Sequence, residues 1–258
     1  MKLLTQNIYC ITTWESKKDV LLKAFKEIIP DIICLQELIC GKSNSSEEVN
    51  DIEKTLNSDA YFTDTYQYMP NQGIFLQNRE IEIIQKYRFN HSSVHKDGTL
   101  DLHPRVVIAE LLKINGKEIL LINLHLSPIK TFRYQNWSDI MLWLNKSGLI
   151  KKNILIAGDF NSYDKDDIHK TVVKDGFKNA WEGVNKETCI SYKGSEWWTT
   201  NHPEHPVSKR IHDRNESWND NCIDFIFYKG DIKINSVELL DLVPEGTDHR
   251  GLILDFSL

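Results

Sequence analysis

The run Ile154-Leu155-Ile156-Ala157-Gly158-Asp159-Phe160-Asn161 limits the fold more than any other stretch of the chain. Four successive apolar residues describe a strand buried on both faces. The glycine is read as letting the backbone turn, so that an Asp and an Asn arrive at a sheet edge. Polar groups at such a strand end are tolerated where they line a crevice and keep water or ligand as partner. Other segments repeat the pattern. Leu3 to Asn7 ends on an Asn, Asp31 to Glu37 on Gln36-Glu37, and Ile119 to His125 on a His. Cys222 to Phe227 carries Asp224 near its start, and Thr247-Asp248-His249 precedes a last strand over 251–256. Each alone reads as a cap or a satisfied core group; six together describe one site drawn from both halves of the chain.

That spread, with no Pro/Gly/Ser-rich linker and no repeat, predicts a single domain over residues 1–258. The formal net charge of −6 argues against broad phosphate neutralisation by a basic face, though a metal-containing cleft can hold one phosphate without such a face. The first residues turn polar too soon for a signal peptide, and no stretch approaches 18 apolar residues, so the expectation is a cytoplasmic protein without a transmembrane segment, monomeric by default. Cys10, Cys34, Cys40, Cys189 and Cys222 form no CxxC pair, and most read as small core residues, Cys34 most clearly.

In chain order, Ser16-Lys17-Lys18-Asp19 has the form of an N-cap with an acid three residues on, followed by apolar residues at helical spacing until Pro30. With the strand at 31–37 this makes a strand-helix-strand unit and parallel neighbours. Helices are predicted near 47–57, 132–146 and 164–174, and strands at 66–68, 73–76 and 81–84. Residues 90–104, with His91, His95 and His103, read as an exposed loop and an alternative metal site. Asn115-Gly116 predicts a hairpin between strands 105–114 and 117–124, because both turn positions need φ > 0. Strands are expected at 223–228 and 232–240. Residues 183–221 read as the least regular part, and a loop that long is usually functional or mobile. There Trp197-Trp198 is either packing or an exposed surface for a base or a lipid interface.

The strand-end inventory is Asn7, Glu37, His125, Asp159, Asn161, Asp224, Asp248 and His249. Carboxylates and amides without thiolates suit a hard divalent cation, Mg²⁺ or in its place Mn²⁺. Two histidines with acidic partners suit proton transfer and charge stabilisation at a phosphoester.

The set Thr5-x-Asn7, Leu35-Gln36-Glu37, Asn123-x-His125-Leu126, Gly158-Asp159-Phe160-Asn161, Ile223-Asp224-Phe225-Ile226 and Asp248-His249 resembles the endonuclease/exonuclease/phosphatase superfamily, in the family's order over nearly the whole chain. The resemblance implies a deoxyribonuclease I-like α/β (α+β) fold, a four-layer sandwich of two mixed β-sheets flanked by helices, with the site at one rim. It implies Glu37 as principal Mg²⁺ ligand with Asn7 and Asp248 at the metal site. Asp159 and Asn161 would orient the attacking water and the phosphate, His125 would donate to a phosphoryl oxygen or the leaving group, and Asp224 would hold His249. The family pattern leaves the base open between His249 and Asp159; a His–Asp dyad titrating nearer neutrality favours His249.

His125 stands where apurinic endonucleases commonly have Tyr, which lowers that branch, and Thr247 stands where many members have Ser. Arg133 and Gln135 resemble the tyrosyl-DNA phosphodiesterase branch, and a solvated helix start explains them equally well. Arg105 is either a phosphate contact or an exposed strand charge. The leading expectation is a Mg²⁺-dependent nuclease acting on nucleic acid. The alternative is a phosphodiesterase or phosphatase of a lipid headgroup or small phosphoester (sphingomyelinase-like), with Trp197-Trp198 as an interfacial membrane contact. A catalytically dead binding module is the minor third.

Overall fold

The computed structural model describes residues 1–38, 47–63, 71–92, 94, 98, 100, 105–162, 167–182, 191–217 and 219–258. Its strands are β1 (Lys2–Asn7), β2 (Ile32–Leu38), β3 (Asp59–Phe62), β4 (Asn71–Leu76), β5 (Glu82–Asn90), β6 (Val106–Ile114), β7 (Lys117–His125), β8 (Asn153–Asp159), β9 (Lys178–Asn179), β10 (Asp224–Lys229), β11 (Lys233–Leu240) and β12 (Gly251–Ser257). Its helices are α1 (Trp14–Ile28), α2 (Glu47–Leu56), α3 (Lys130–Lys146), α4 (Asp167–Lys174), α5 (Ser195–Asn201) and α6 (Pro206–Arg214). One six-stranded sheet has the order β11-β12-β1-β2-β4-β3 and the other β5-β6-β7-β8-β10-β9.

Both sheets are mixed. β1 runs parallel to β2 because α1 carries the chain back between them, and β7 runs parallel to β8 through α3. The other pairs are antiparallel. Alternation sorts the side chains of the first sheet. Leu3, Ile32, Cys34 and Ile74 join the core that includes the second sheet, while Leu4, Ile33, Leu35 and Phe75 pack with Leu21 and Phe25 of α1 and Val49 and Ile52 of α2. On the second sheet, Trp137, Ile140 and Leu144 of α3 and Ile168 and Val172 of α4 belong to the same core as the strands. The result is the four-layer sandwich expected.

Several local readings change. α1 begins at Trp14 after Thr13, and Ser16 lies inside its first turn, donating its hydroxyl to the Thr13 carbonyl at 2.7 Å rather than capping. The helix ends at Ile29, left-handed at φ 49°, just before Pro30. β5 runs to Asn90 as a charged edge strand, which discourages further pairing. β3 went unread. His91 is buried and its Nδ1 lies 3.2 Å from Asp139, so it is no exposed loop histidine. Within 183–221, α5 and α6 replace much of the expected irregularity. Pro206 sits in the first turn of α6, whose N-cap His205 accepts the Val207 N–H on Nδ1. The strand expected at 66–68, His95, His103, Cys40, Cys189 and Trp218 lie outside the described residues. The Asn115-Gly116 turn forms as expected, with φ of 50° and 79°.

Gly158 has a different reason from the one its letter suggested. β8 continues through it to Asp159 without turning. At φ 143° it packs so close to β7 that a Cβ would lie 2.0 Å from the Leu124 carbonyl oxygen. That close approach sets Asp159 directly beside His125.

Candidate active site

Strand direction explains why some polar motifs follow their strands and others precede them. β1, β2, β7 and β8 bring their C-terminal ends to one rim, while the antiparallel β10 and β12 bring their N-terminal ends there. His125, Asp159 and Asp224 are consequently lateral neighbours across three strands. Asn7 and Glu37 face them from the other sheet.

A polar rivet beneath the rim holds the sheets in register. Asn123 donates to the carbonyls of Leu35 and Gly73, each at 2.9 Å, and its Oδ1 accepts from Gln36 Nε2 at 2.8 Å. Gln36 also donates to Thr5 Oγ1 at 3.1 Å. These groups are fully enclosed, so each bond replaces water that cannot enter.

Above the rivet, Asn7 Nδ2 donates to Glu37 Oε1 at 3.1 Å and to Asp159 Oδ2 at 3.0 Å, bridging the sheets. Its Oδ1 is turned away to accept the Tyr9 N–H at 3.0 Å. Asn7 therefore links the two carboxylates, beside the site where a cation is expected. Glu37 Oε2 accepts the Cys10 N–H at 2.9 Å. Glu37 itself sits at φ 62° and Asn161 at φ 48°, left-handed positions that a non-glycine residue holds only where its surroundings enforce them. Asn161 donates its backbone N–H to Asp159 Oδ1 at 2.6 Å and its Nδ2 to the Leu126 carbonyl at 3.0 Å.

His125 Nε2 lies 3.4 Å from Asp159 Oδ2 and 3.9 Å from Glu37 Oε1. His249 Nδ1 lies 2.8 Å from Asp224 Oδ2, and its Nε2 3.7 Å from Asp248 Oδ1. Thr247 keeps the hydroxyl function of the more usual Ser, donating to the Asn7 carbonyl at 2.7 Å and accepting the His249 N–H. All eight strand-end residues thus meet at one rim. Asp248 stands slightly apart: ligand atoms of Glu37, His125 and Asp159 lie within 4.8 Å of one another, as do those of Asp159, Asp224 and His249, and neither set includes Asp248.

Electrostatics distinguish the acids. Burial alone would raise Glu37, but the His125 charge and the bonds from Cys10 and Asn7 outweigh it and hold the carboxyl down at about 2. Burial, then the Asp224 charge, push Asp159 up to about 7 against the opposing His249 and the Asn161 N–H. Burial and Glu37 push Asp248 up to about 6 although His249 and Arg210 oppose them. For His249, burial favours the neutral form, but Asp224 and Asp248 dominate and keep the imidazolium well above the usual range.

Three buried carboxylates, Asp159, Asp224 and Asp248, and the partly buried Glu37 thus share the rim with two imidazoles, and the enclosed Oδ1 of Asp248 has no hydrogen-bond partner among the described residues. Hard oxygen donors short of positive charge fit a divalent cation. Glu37 offers the carboxylate that would hold it, beside the unpartnered Oδ1 of Asp248.

The four residues expected to bind substrate divide. Trp198 is fully buried among Tyr9, Val207 and Ile211, so it presents no ring to a base or a lipid. Trp197 is half-buried and lines an open cavity of about 550 Å³ with Gly194, Glu196, Asn219 and Asp220. Arg133 is buried and donates to the Pro128 carbonyl at 3.0 Å. Arg105 is buried too, beside the N-terminal end of β6 at the site's rim, and is not the exposed strand charge of the alternative reading. Sequence reasoning missed Tyr9, Ser191, Tyr192 and Arg210. Ser191 Oγ accepts the N–H groups of Ile223 and Asp224, and the Tyr192 ring lies 4.9 Å from the His249 ring. No periodicity marks them, because they come from turns and from a helix packed over the rim.

A model of the Endonuclease/Exonuclease/phosphatase family matches residues 4–249. No curated protein matches the sequence. Among solved structures, the chain is similar to the endonuclease/exonuclease/phosphatase from Bacteroides vulgatus (19% identity, TM-score 0.73, covering 100% of this chain and 98% of that one). It is similar to Bacteroides thetaiotaomicron mannosyl-6-phosphatase Bt3783 (19%, 0.75, 100% and 100%). It is also similar to D. rerio TDP2 complexed with a single-strand DNA product (17%, 0.72, 100% and 99%). At these identities the likeness establishes the deoxyribonuclease I-like fold.

Proposed function

Because the chain belongs to the endonuclease/exonuclease/phosphatase family, we propose that it is a divalent-metal-dependent hydrolase of a small phosphoester, with Mg²⁺ as the natural ion and Mn²⁺ as a substitute. The observation that carries this reading is the convergence of Glu37, His125, Asp159, Asp224 and His249 within two overlapping clusters of ligand atoms.

The bound cation would polarise the phosphoryl group and offset charge developing on it. Asp159, held by Asn161 and Asn7, accepts the proton of the attacking water. The sequence pattern offers His249 as the alternative base. His249, oriented through Nδ1 on Asp224, instead offers Nε2–H to a phosphoryl oxygen. His125 Nε2, facing the same carboxylates, protonates the leaving oxygen.

A small substrate is favoured over a polynucleotide by the formal net charge of −6 and by the lack of an exposed aromatic pair at Trp197-Trp198. Burial of Trp198 removes half of the aromatic surface on which the nuclease and the lipid-interface readings both drew.

A panel of p-nitrophenyl phosphate, bis(p-nitrophenyl) phosphate, inositol phosphates, sphingomyelin, tyrosyl-DNA, single-stranded RNA and plasmid DNA, each with Mg²⁺ and with EDTA, tests the proposal. Turnover of a small ester with Mg²⁺ and none with EDTA is expected. Preferential cleavage of polynucleotide, or turnover indifferent to EDTA, would overturn it.

A further inference from the structure

Lys17 is a charged residue in a place that suits an apolar one. On α1 it shares the buried face with Trp14, Leu21, Ala24 and Phe25, and it is 1% exposed. Its Nζ donates to the Ile8 carbonyl at 2.6 Å and to the Tyr9 carbonyl at 2.7 Å, and Glu48 Oε1 of α2 lies 4.0 Å away. Burying an ammonium group costs far more than burying a methionine of similar volume, so the packing of α1 does not account for a lysine here. What its nitrogen holds does.

In an extended strand successive carbonyls point to opposite edges, so one nitrogen reaches both only where the chain turns between them. It turns at Tyr9, whose backbone is left-handed at φ 54°. A non-glycine residue keeps that conformation only under outside constraint, and Lys17 supplies it from the next helix. The two bonds need two N–H donors, which a lysine offers whether charged or neutral.

Those two carbonyls belong to the peptide units on either side of Tyr9. A peptide unit is planar and trans, so its N–H points opposite to its C=O, and fixing the Ile8 and Tyr9 oxygens aims the Tyr9 and Cys10 N–H groups. The Tyr9 N–H binds Asn7 Oδ1 at 3.0 Å, which leaves Asn7 Nδ2 to donate to Glu37 Oε1 at 3.1 Å. The Cys10 N–H donates to Glu37 Oε2 at 2.9 Å. Both oxygens of Glu37 are thus held from the segment that Lys17 pins. Glu37 depends on them, because β2 and β4 shift register between Gln36 and Leu38 and leave it in a bulge at φ 62°.

We propose that Lys17 is a positioning residue for the cation site: by pinning the two peptide planes beside Tyr9 it aims the Glu37 carboxylate, and so sets how tightly the rim takes a divalent cation. The proposal rests on the metal-dependent reading above and deepens it.

The test compares the full chain as wild type, Lys17→Met, Lys17→Gln and Asp51→Ala, at a temperature where circular dichroism shows all four folded. Asp51→Ala is the packing control, since it removes the 2.8 Å bond from Trp14 Nε1 that ties α1 to α2 and leaves the Tyr9 turn untouched. In the metal-free proteins, amide exchange followed by nuclear magnetic resonance should show the Tyr9 and Cys10 N–H groups exchanging at least about 10-fold faster in Lys17→Met, with Leu21 and Phe25 of α1 as in the wild type. Mn²⁺ titration followed by electron paramagnetic resonance should give a Kd weakened about 10-fold or more in Lys17→Met and Lys17→Gln, and unchanged in Asp51→Ala. Wild-type exchange at Cys10 in both Lys17 variants, or the same Mn²⁺ loss in Asp51→Ala, overturns the proposal and leaves Lys17 a packing residue. A wild type that binds no Mn²⁺ overturns it together with the metal-dependent reading. A wild type that hydrolyses no ester yet shows the expected Mn²⁺ differences rejects the hydrolytic reading and supports the role of Lys17.

Discussion

Glu110 should make this protein less stable as the pH rises, and replacing it with Gln should remove the effect. The residue sits mid-strand in β6, paired laterally with Lys86 of β5 and Leu121 of β7, and is 1% exposed. Lys86 Nζ reaches Oε1 only at 3.7 Å and itself lies 5.0 Å from the Tyr61 ring centroid, while Oε2 is buried without a hydrogen-bond partner among the described residues. Burial therefore outweighs the lysine and pushes the carboxyl from 4.5 up to about 7. With the folded value above the unfolded one, the folded state binds the extra proton between those two pH values. The associated stability is fully present below pH 4.5 and lost as pH climbs through 7. A gap of about 2.5 units corresponds to roughly 3 kcal/mol. Glu110→Gln keeps the shape and has nothing to ionise. Urea unfolding of both proteins at pH 4.5 and pH 8.5 measures the difference between them. That difference should move by about 3 kcal/mol in favour of Gln between the two pH values, or roughly 6 to 12 °C in Tm for a chain of this size. A difference that stays flat would mean Glu110 ionises as in water and Lys86 neutralises it fully.

Glu37→Gln should leave the fold intact, lower turnover by at least about 100-fold, and abolish any rise in melting temperature on adding Mn²⁺; a retained metal-induced shift would remove Glu37 from the cation site. Asn123→Ala strips partners from the Leu35 and Gly73 carbonyls and from Gln36 Nε2 inside the core, so chemical denaturation should register a loss of about 3 kcal/mol or more. A loss below about 1 kcal/mol would mean water reaches the rivet. Gly158→Ala drives a methyl into the Leu124 carbonyl, and the variant should be insoluble or destabilised by more than about 4 kcal/mol. Wild-type stability there would contradict the close β7–β8 approach.

The strands and their polar ends were legible because each is a local pattern: a β-branched or leucine-rich run with a residue at one end that cannot be buried alone. That pattern was enough for β1, β2, β7, β8, β10 and β12, and for the hairpin at Asn115-Gly116. It failed for α1's true cap, where Thr13 and Ser16 are chemically alike and only the path out of Tyr9 decides where the helix starts. It failed again around Trp198, since an aromatic pair in a polar stretch carries no mark of what will cover it.

From sequence alone one learns which side chains gather: Asn7, Glu37, His125, Asp159, Asn161, Asp224, Asp248 and His249 all cap strands, and strand polarity follows from the connections. Only the folded chain orients them there. Asn7 turns its nitrogen inward because the Tyr9 N–H claims its oxygen, and His249 turns its Nδ1 to Asp224. Tyr9 meets Val207 and Ile211 because α6 folds back over the rim. Orientation, burial and charge at a site are sums over neighbours distant in the chain, and no single segment contains them.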